Sequence, residues 1–206
     1  MVTLTSRSAE SSVHAAAAAV IPPGAVSARL EVLGSKALVF YRFDEDECAR
    51  RRTVGAAPLE RIGALQTLMG LPVDEPVPLS ELDTGMRAKI RKLPAGAVDT
   101  GAGQVVRRAV RPLSLDLAVV GSRATDWSSG LVRASRFAPF CARLLALSGP
   151  VPERDEVLMQ AAFYGIGILE DTGAGLELAL APRSYRPQRH TPAAWCFTEE
   201  LYQRLR

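Results

Sequence analysis

The spacing of apolar residues predicts a run of short helices in the middle of the chain. The first helix is expected to begin at Pro58, a residue favoured at the first helical position, and to end at Gly70. A second helix over residues 79–82 and a third over residues 86–93 follow. Two β-prone runs joined by a glycine-rich loop are expected within residues 97–110. The apolar faces of the first and third helices are formed by Leu59, Ile62, Leu65, Leu68 and Met69, and by Met86, Ile90 and Leu93.

Beyond Pro112 the pattern changes to strands that alternate with helices. Helices are expected from Trp127 to about Arg143 and over residues 152–164, and Pro139 inside the first predicts a kink or an early end. Alternation of this kind favours parallel strands and an α/β architecture. The strands are expected at 115–120, 144–147, 166–170 and 176–181, and a final helix is expected to begin at the cap Thr191 and Pro192.

The N-terminal part of the chain carries weaker patterns. Residues 1–27 form a low-complexity leader rich in Ser and Ala, in which residues 11–21 are either a short helix or a disordered arm. Two β-prone runs within residues 29–43 predict a hairpin that turns at Gly34 and Ser35.

Charged residues follow this hairpin in a definite order. Four acidic residues at 44–47 precede three arginines at 50–52, an order that suits a helix dipole but also occurs in charged loops. The combined patterns predict an α/β fold (α+β overall) with a βαβαβ arrangement in the C-terminal half. We expect a leader at 1–27, a hairpin with short helices at 28–111 and an α/β domain at 112–206.

Composition indicates a globular chain with an ordinary core, because 48% of the residues are hydrophobic and 23% are charged. The net charge is only +3, but the basic residues are concentrated in one segment. Between Arg87 and Arg111 the chain has seven basic residues and one acid, Asp99. Arg87, Lys89, Arg91 and Lys92 lie off the apolar face of the third helix, and Arg107 and Arg108 lie on the second β-prone run.

Three short helices followed by a β-hairpin form the element order of a winged helix-turn-helix, and residues 58–111 resemble that superfamily. The resemblance implies that the third helix enters the major groove of double-stranded DNA while the hairpin lies along the phosphates. We therefore expect the six basic residues of this segment to contact DNA. Two other interpretations stay open, since many winged helices bind proteins and since a basic helix face is often only solvated.

The C-terminal half has a second resemblance. The apolar strand at 115–120 is followed by Gly-Ser-Arg at 121–123 and by Thr-Asp-Trp at 125–127. With the runs at 136–143 and 164–169, this order resembles the PD-(D/E)XK superfamily, whose members have a restriction-endonuclease-like fold. Typical members carry Glu-x-Lys on this strand, and their acidic side chains hold a divalent cation that stabilises charge on the phosphate.

Where the resemblance places Glu and Lys, this chain has Gly121 and Arg123. Glycine has no side chain to bind a metal, and arginine stays protonated and cannot act as a base. The resemblance therefore implies a degenerate, pseudo-nuclease domain with no catalytic residues, no metal and no cofactor. The alternative is an active nuclease with displaced ligands, in which Asp99 or Asp116 supplies the first acid for Mg²⁺.

Other candidate residues are few. Arg186, Arg189 and His190 lie just before the last helix and predict an anion site at its N-terminus, with a solvated basic loop as the alternative. The three cysteines are isolated and the chain has two histidines, so a zinc site is not expected. Isolated cysteines fit a reducing cytoplasm, and Cys141 is expected to be a packing residue rather than a nucleophile.

No stretch approaches the roughly 20 apolar residues that span a bilayer, so no membrane partner is expected. The sequence favours a cytoplasmic DNA-binding protein that regulates transcription or organises DNA, with a pseudo-nuclease domain beside the winged-helix-like segment. A metal-dependent nuclease is the second hypothesis. The third is a protein-interaction scaffold that binds a protein partner or forms a homodimer.

Overall fold

The computed structural model describes residues 7–186 and 190–206, and its fold is mixed α/β, as the patterns predict. The helices, in chain order, are α1 (Arg7–Ala16), α2 (Glu45–Val54), α3 (Ile62–Met69), α4 (Thr84–Ile90), α5 (Trp127–Ser135), α6 (Arg154–Tyr164) and α7 (Pro192–Leu205). The strands are β1 (Val26–Val32), β2 (Ser35–Phe43), β3 (Pro76–Pro78), β4 (Val98–Gly101), β5 (Gln104–Arg107), β6 (Leu113–Arg123), β7 (Ala142–Ser148), β8 (Gly167–Asp171) and β9 (Leu176–Leu180).

Contacts divide the chain into two compact units. One, here called the sheet unit, comprises Met1–Arg42 and Leu115–Pro187. The other, here called the inserted unit, comprises Phe43–Ser114 and Gln188–Arg206. This division differs from the predicted boundary near residue 112. The reason is that β2 lies beside β6 in one sheet, while α7 packs against α3.

The sheet unit is built on six strands in the order β1-β2-β6-β7-β8-β9. β1 and β2 form an antiparallel hairpin, whereas β6, β7 and β8 run parallel and are connected by α5 and α6. β9 returns antiparallel to β8 at the edge of the sheet. The alternation of strands and helices in the sequence predicts these parallel strands, and that prediction is confirmed.

The N-terminal helix is part of the core of the sheet unit. Val13 and Ala17, one helical turn apart, are fully buried in the same cluster as Leu117 and Val119 of β6. The short-helix interpretation is therefore confirmed for residues 11–16, since α1 runs over Arg7–Ala16 and a turn follows at residues 17–20, and the disordered-arm interpretation is wrong. Small alanine side chains let a helix approach a sheet closely, so this low-complexity segment contributes to the core.

The turn between β1 and β2 differs from its predicted position, whereas the end of α5 agrees with the prediction. The β1–β2 hairpin turns at Leu33 and Gly34, with φ of 52° and 65°, rather than at Gly34 and Ser35. A two-residue turn of this kind needs positive φ at both positions, and Leu33 adopts it although it is not glycine. α5 ends at Ser135, which confirms the early end that Pro139 predicts.

The inserted unit contains α2, α3, α4 and α7 with a small antiparallel sheet of order β3-β5-β4. The helix interpretation of its charged segment is confirmed, because the Asp44 side chain caps α2 by accepting a hydrogen bond from the backbone of Glu47. α3 begins at Ile62 rather than Pro58, and the second predicted helix is a 3₁₀ turn over Leu79–Glu81. The sequence does not predict β3, because its prolines, which sheet edges tolerate, are typical of a connector.

Candidate nucleic-acid interface

The candidate interface lies on α4 and the turn that follows it. The Asp83 side chain caps the helix by accepting a hydrogen bond from the backbone N–H of Met86 at 2.8 Å. On the apolar face, Ile90 is buried in one cluster with Leu71 and Val105, and Met86 packs against that cluster. This packing determines which side of α4 faces the core.

Four basic side chains lie on α4 and its turn outside this apolar cluster. Arg87 is half-buried, whereas Lys89, Arg91 and Lys92 are exposed. Among residues 7–186 and 190–206, none of these four side chains has a hydrogen-bond or ion-pair partner. We call these four residues the basic surface. The structure thus brings together four of the residues that the sequence predicts to contact DNA.

Arg107 points into the inserted unit rather than out to solvent. Its guanidinium donates hydrogen bonds of 3.0–3.1 Å to the carbonyl oxygens of Leu68, Leu71 and Ala109. It also lies over the ring of Trp195, 4.8 Å from the centroid. Burial lowers the pKa of Arg107 from its ordinary value, although a guanidinium stays protonated at neutral pH. Arg107 therefore connects β5 with the end of α3 and with α7, and it lies outside the basic surface.

Arg108 is partly exposed, but acidic neighbours balance its charge. Its Nη1 lies 2.8 Å from a carboxylate oxygen of Asp74, and its Nε lies 2.7 Å from one of Asp99. The hydrogen bonds that Arg108 donates to Asp74 and Asp99 raise the pKa of Arg108. Two carboxylates thus offset the charge that this guanidinium could offer to a phosphate, so Arg108 also lies outside the basic surface.

The end of β6, where the nuclease resemblance places a metal centre, is a network of hydrogen bonds. Ser122 Oγ donates to the carbonyl oxygen of Asp126 at 2.9 Å and accepts from Arg133 Nη2 at 3.0 Å. Gly121 contributes its carbonyl oxygen, 3.4 Å from the same Nη2. These contacts join Ser122, Arg133 and two backbone carbonyl groups in one hydrogen-bonded network at the end of β6.

An open cleft of about 280 Å³ lies where the carboxyl ends of β6, β7 and β8 meet. Ligands commonly bind at the carboxyl ends of parallel strands in α/β sheets. The sequence patterns do not point to Ser148 or Asp171, because only the parallel pairing brings their strand ends together. The described residues hold no group of three or more His, Cys, Asp or Glu side chains suited to a metal. The cleft is lined by Arg123, Ala124, Thr125, Ser148, Gly149, Pro150 and Asp171.

The two acids considered for a displaced nuclease centre are both engaged by arginine. Asp116 accepts two hydrogen bonds from Arg42, at 2.9 and 2.7 Å, and only 10% of its side chain is exposed. Asp99 is held by Arg108, the residue that follows the neighbouring strand β5. Asp116 belongs to the sheet unit and Asp99 to the inserted unit.

The residues of the predicted anion site are divided between the units. Arg186 belongs to the sheet unit and His190 to the inserted unit, and both side chains are exposed. Arg189 lies outside the described residues. At the start of α7, the Thr191 side chain accepts a hydrogen bond from the backbone N–H of Ala194 at 3.1 Å. The predicted cap is therefore confirmed.

Reactivity toward a thiol reagent should distinguish the three cysteines. Cys48 and Cys141 are buried, whereas Cys196 is partly exposed. Burial raises the pKa of each thiol, most strongly for Cys141, and the thiolate is the reactive form. We expect Cys196 to be labelled first and the other two only on unfolding, as measured by mass spectrometry. A Cys196→Ser variant should lose the early labelling, and early labelling of Cys141 would contradict its packing role.

No helix in the described part of the chain is long and apolar enough to cross a membrane. No protein-family model, curated protein sequence or solved structure matches the chain.

Proposed function

We propose that the inserted unit binds double-stranded DNA through the basic surface of α4, and that the protein regulates transcription or organises DNA rather than cleaving it. One observation carries this proposal. Four cationic side chains on one short, capped helix and its turn have no carboxylate partner in the described chain. Such a surface favours a polyanion, because neutralising phosphates releases the counterions that DNA holds.

The dimensions of α4 suit the proposed contact. An α-helix with its side chains is about 10–12 Å across, and the major groove of DNA is about 12 Å wide. Burial of Ile90 holds one face of α4 against the core, so the helix is a rigid support for Lys89, Arg91 and Lys92. Contacts to phosphates supply affinity and orientation but do not read the base sequence. We therefore expect binding with little dependence on base sequence.

Reversing the charge of the three exposed residues should strongly weaken this binding. In the variant Lys89→Glu/Arg91→Glu/Lys92→Glu, three attractive phosphate contacts become repulsive. We expect its affinity for a short duplex to fall by roughly a hundredfold or more at low salt. For the unmodified protein, four phosphate contacts predict that log K falls against log salt with a slope of about −3.6. Fluorescence anisotropy titrations across a range of salt concentrations measure both quantities.

A control with the same change in net charge separates the basic surface from a general charge effect. Lys36, Arg52 and Arg61 are exposed and have no ion-pair partner in the described chain. Replacing these three by glutamate should leave most of the affinity. Equal loss of affinity in the two triple variants, or binding by the unmodified protein that salt does not weaken, would overturn the proposal.

The two alternatives have less support. Nuclease activity would need Asp99 or Asp116 to leave its ion pair with arginine before it could hold Mg²⁺. Binding of a protein partner is favoured by the exposed apolar side chains of Met159 and Phe163, one turn apart on α6. Exposed apolar surface is a general feature of protein interfaces, but it does not account for the basic surface of α4.

A further inference from the structure

Two arginines converge at one end of the sheet, where β7 and β8 begin and β9 ends. Arg143 lies near the start of β7, Arg183 follows β9, and Gly165 lies between α6 and β8. A Cβ placed on Gly165 would lie 3.4 Å from Arg183 Nε and 3.5 Å from Arg143 Nη2. Since both nitrogen atoms lie this close to one point, the two guanidinium groups converge there.

The described chain offers no carboxylate to this pair. Arg143 Nη2 donates to the carbonyl oxygen of Tyr164 at 2.9 Å, and its Nε is buried without a hydrogen-bond acceptor. The Arg183 side chain has no hydrogen-bond or ion-pair partner among the described residues. Burial and the nearby charge of Arg183 both lower the pKa of Arg143. Two like charges held this close destabilise each other, and an anion between them would relieve the repulsion.

The backbone fixes the position of the pair. Gly165 has φ of 67°, a left-handed conformation that glycine adopts without strain, and it ends α6. Its carbonyl oxygen accepts a hydrogen bond of 3.2 Å from the backbone N–H of Arg183. A side chain at this position would meet Arg183 Cβ at 3.0 Å. A main-chain hydrogen bond therefore holds Arg183 beside Gly165, and the Arg143 side chain reaches the same place through its hydrogen bond to Tyr164.

We propose that Arg143 and Arg183 bind a phosphate group at this end of the sheet. Each guanidinium is planar and carries several N–H donors, so two of them can bind different oxygens of one tetrahedral anion. Hydrogen bonds between guanidinium and phosphate are charge-assisted and about twice as strong as neutral ones. A phosphate carries up to two negative charges and therefore balances the pair better than a carboxylate does. The proposal does not depend on DNA binding by α4.

A calorimetric titration of the protein with inorganic phosphate tests this site. Arg183→Gln removes one cation whose side chain makes no hydrogen bond in the described chain, so the fold should be preserved. We expect this variant to bind phosphate at least roughly tenfold more weakly than the unmodified protein. Lys36→Gln removes an exposed cation of the same unit that has no ion-pair partner in the described chain, and it should bind phosphate normally. Arg143→Gln should weaken binding as Arg183→Gln does, with circular dichroism as the check on its folding.

Further measurements distinguish a phosphate at a nucleic acid end from a phosphate on a small molecule. In the Lys89→Glu/Arg91→Glu/Lys92→Glu background, oligonucleotides with and without a terminal phosphate show whether the group can belong to a nucleic acid end. Tighter binding of the phosphorylated strand supports that source, and binding of inorganic phosphate alone supports a small molecule. If phosphate gives the unmodified protein no more heat of binding than chloride does at equal ionic strength, the proposal is overturned. Equal weakening in Arg183→Gln and Lys36→Gln would overturn it as well.

Discussion

Replacing Arg51 by methionine is expected to destabilise the inserted unit by about 3–5 kcal/mol, because it leaves two buried carboxylates without the cation that pairs with them. Only 7% of the Arg51 side chain is exposed, and Glu47 and Glu199 on either side of it are each 1% exposed. Arg51 Nε donates to Glu47, and Nη1 and Nη2 donate to the two carboxylate oxygens of Glu199, all at 2.7 Å. Methionine fills much of the same volume but donates none of these hydrogen bonds.

The remaining partners cannot compensate for the loss of Arg51. Glu47 keeps two hydrogen bonds from Arg50, whereas Glu199 keeps only the indole N–H of Trp195 at 2.9 Å. Burial alone would lower the pKa of Arg51, but the hydrogen bonds and charges of Glu199 and then Glu47 raise it above its ordinary value. Arg51 therefore carries its charge in the folded protein.

Chemical unfolding followed by tryptophan fluorescence measures this effect, since Trp195 belongs to the network. Arg52→Met is the matched control, because Arg52 is the next residue on α2 and is exposed. Its effect should stay within about 0.5 kcal/mol. The double variant Arg51→Met/Glu199→Gln should regain part of the lost stability, since it removes the unpaired buried charge. Equal unfolding midpoints for Arg51→Met and Arg52→Met would show that the network does not stabilise the unit.

The elements that the sequence predicts well are those decided by neighbouring residues. Thr191 caps α7 and Gly165 ends α6, because each acts on backbone groups a few residues away. The basic surface of α4 belongs to the same class. Once the helical spacing is recognised and Ile90 is assigned to the core, the exposed positions of Lys89 and its neighbours follow.

Interactions between distant parts of the chain could not be predicted in this way. Arg51 and Glu199 are 148 positions apart, and Arg108 and Asp74 are 34 apart. Nothing in the local pattern near Arg107 distinguishes an arginine stacked on Trp195 from one that faces solvent. The same limit applies to the division into two units and to the convergence of Arg143 and Arg183 at one end of the sheet, because both depend on which strands pair.

Replacing Gly167 by alanine is expected to destabilise the sheet unit by about 3 kcal/mol. Gly167 lies at the start of β8 and pairs with Leu144 of β7. A Cβ here would lie 2.5 Å from Leu144 Cδ2, 2.6 Å from the backbone nitrogen of Pro182 and 2.7 Å from the carbonyl oxygen of Leu180. Two of these three atoms belong to the backbone, so no change of rotamer can relieve the overlap.

Gly63→Ala is the matched control for the Gly167 variant. A Cβ on Gly63 would meet nothing within 4 Å, and alanine is favoured over glycine inside a helix by about 1 kcal/mol. We therefore expect Gly63→Ala to be as stable as the unmodified protein or more stable. Urea unfolding compares the free energies, and hydrogen exchange of the β8 amides locates the loss. An unchanged free energy of unfolding for Gly167→Ala would contradict the close approach of β7, β8 and the chain after β9, since a methyl group placed there must move backbone atoms.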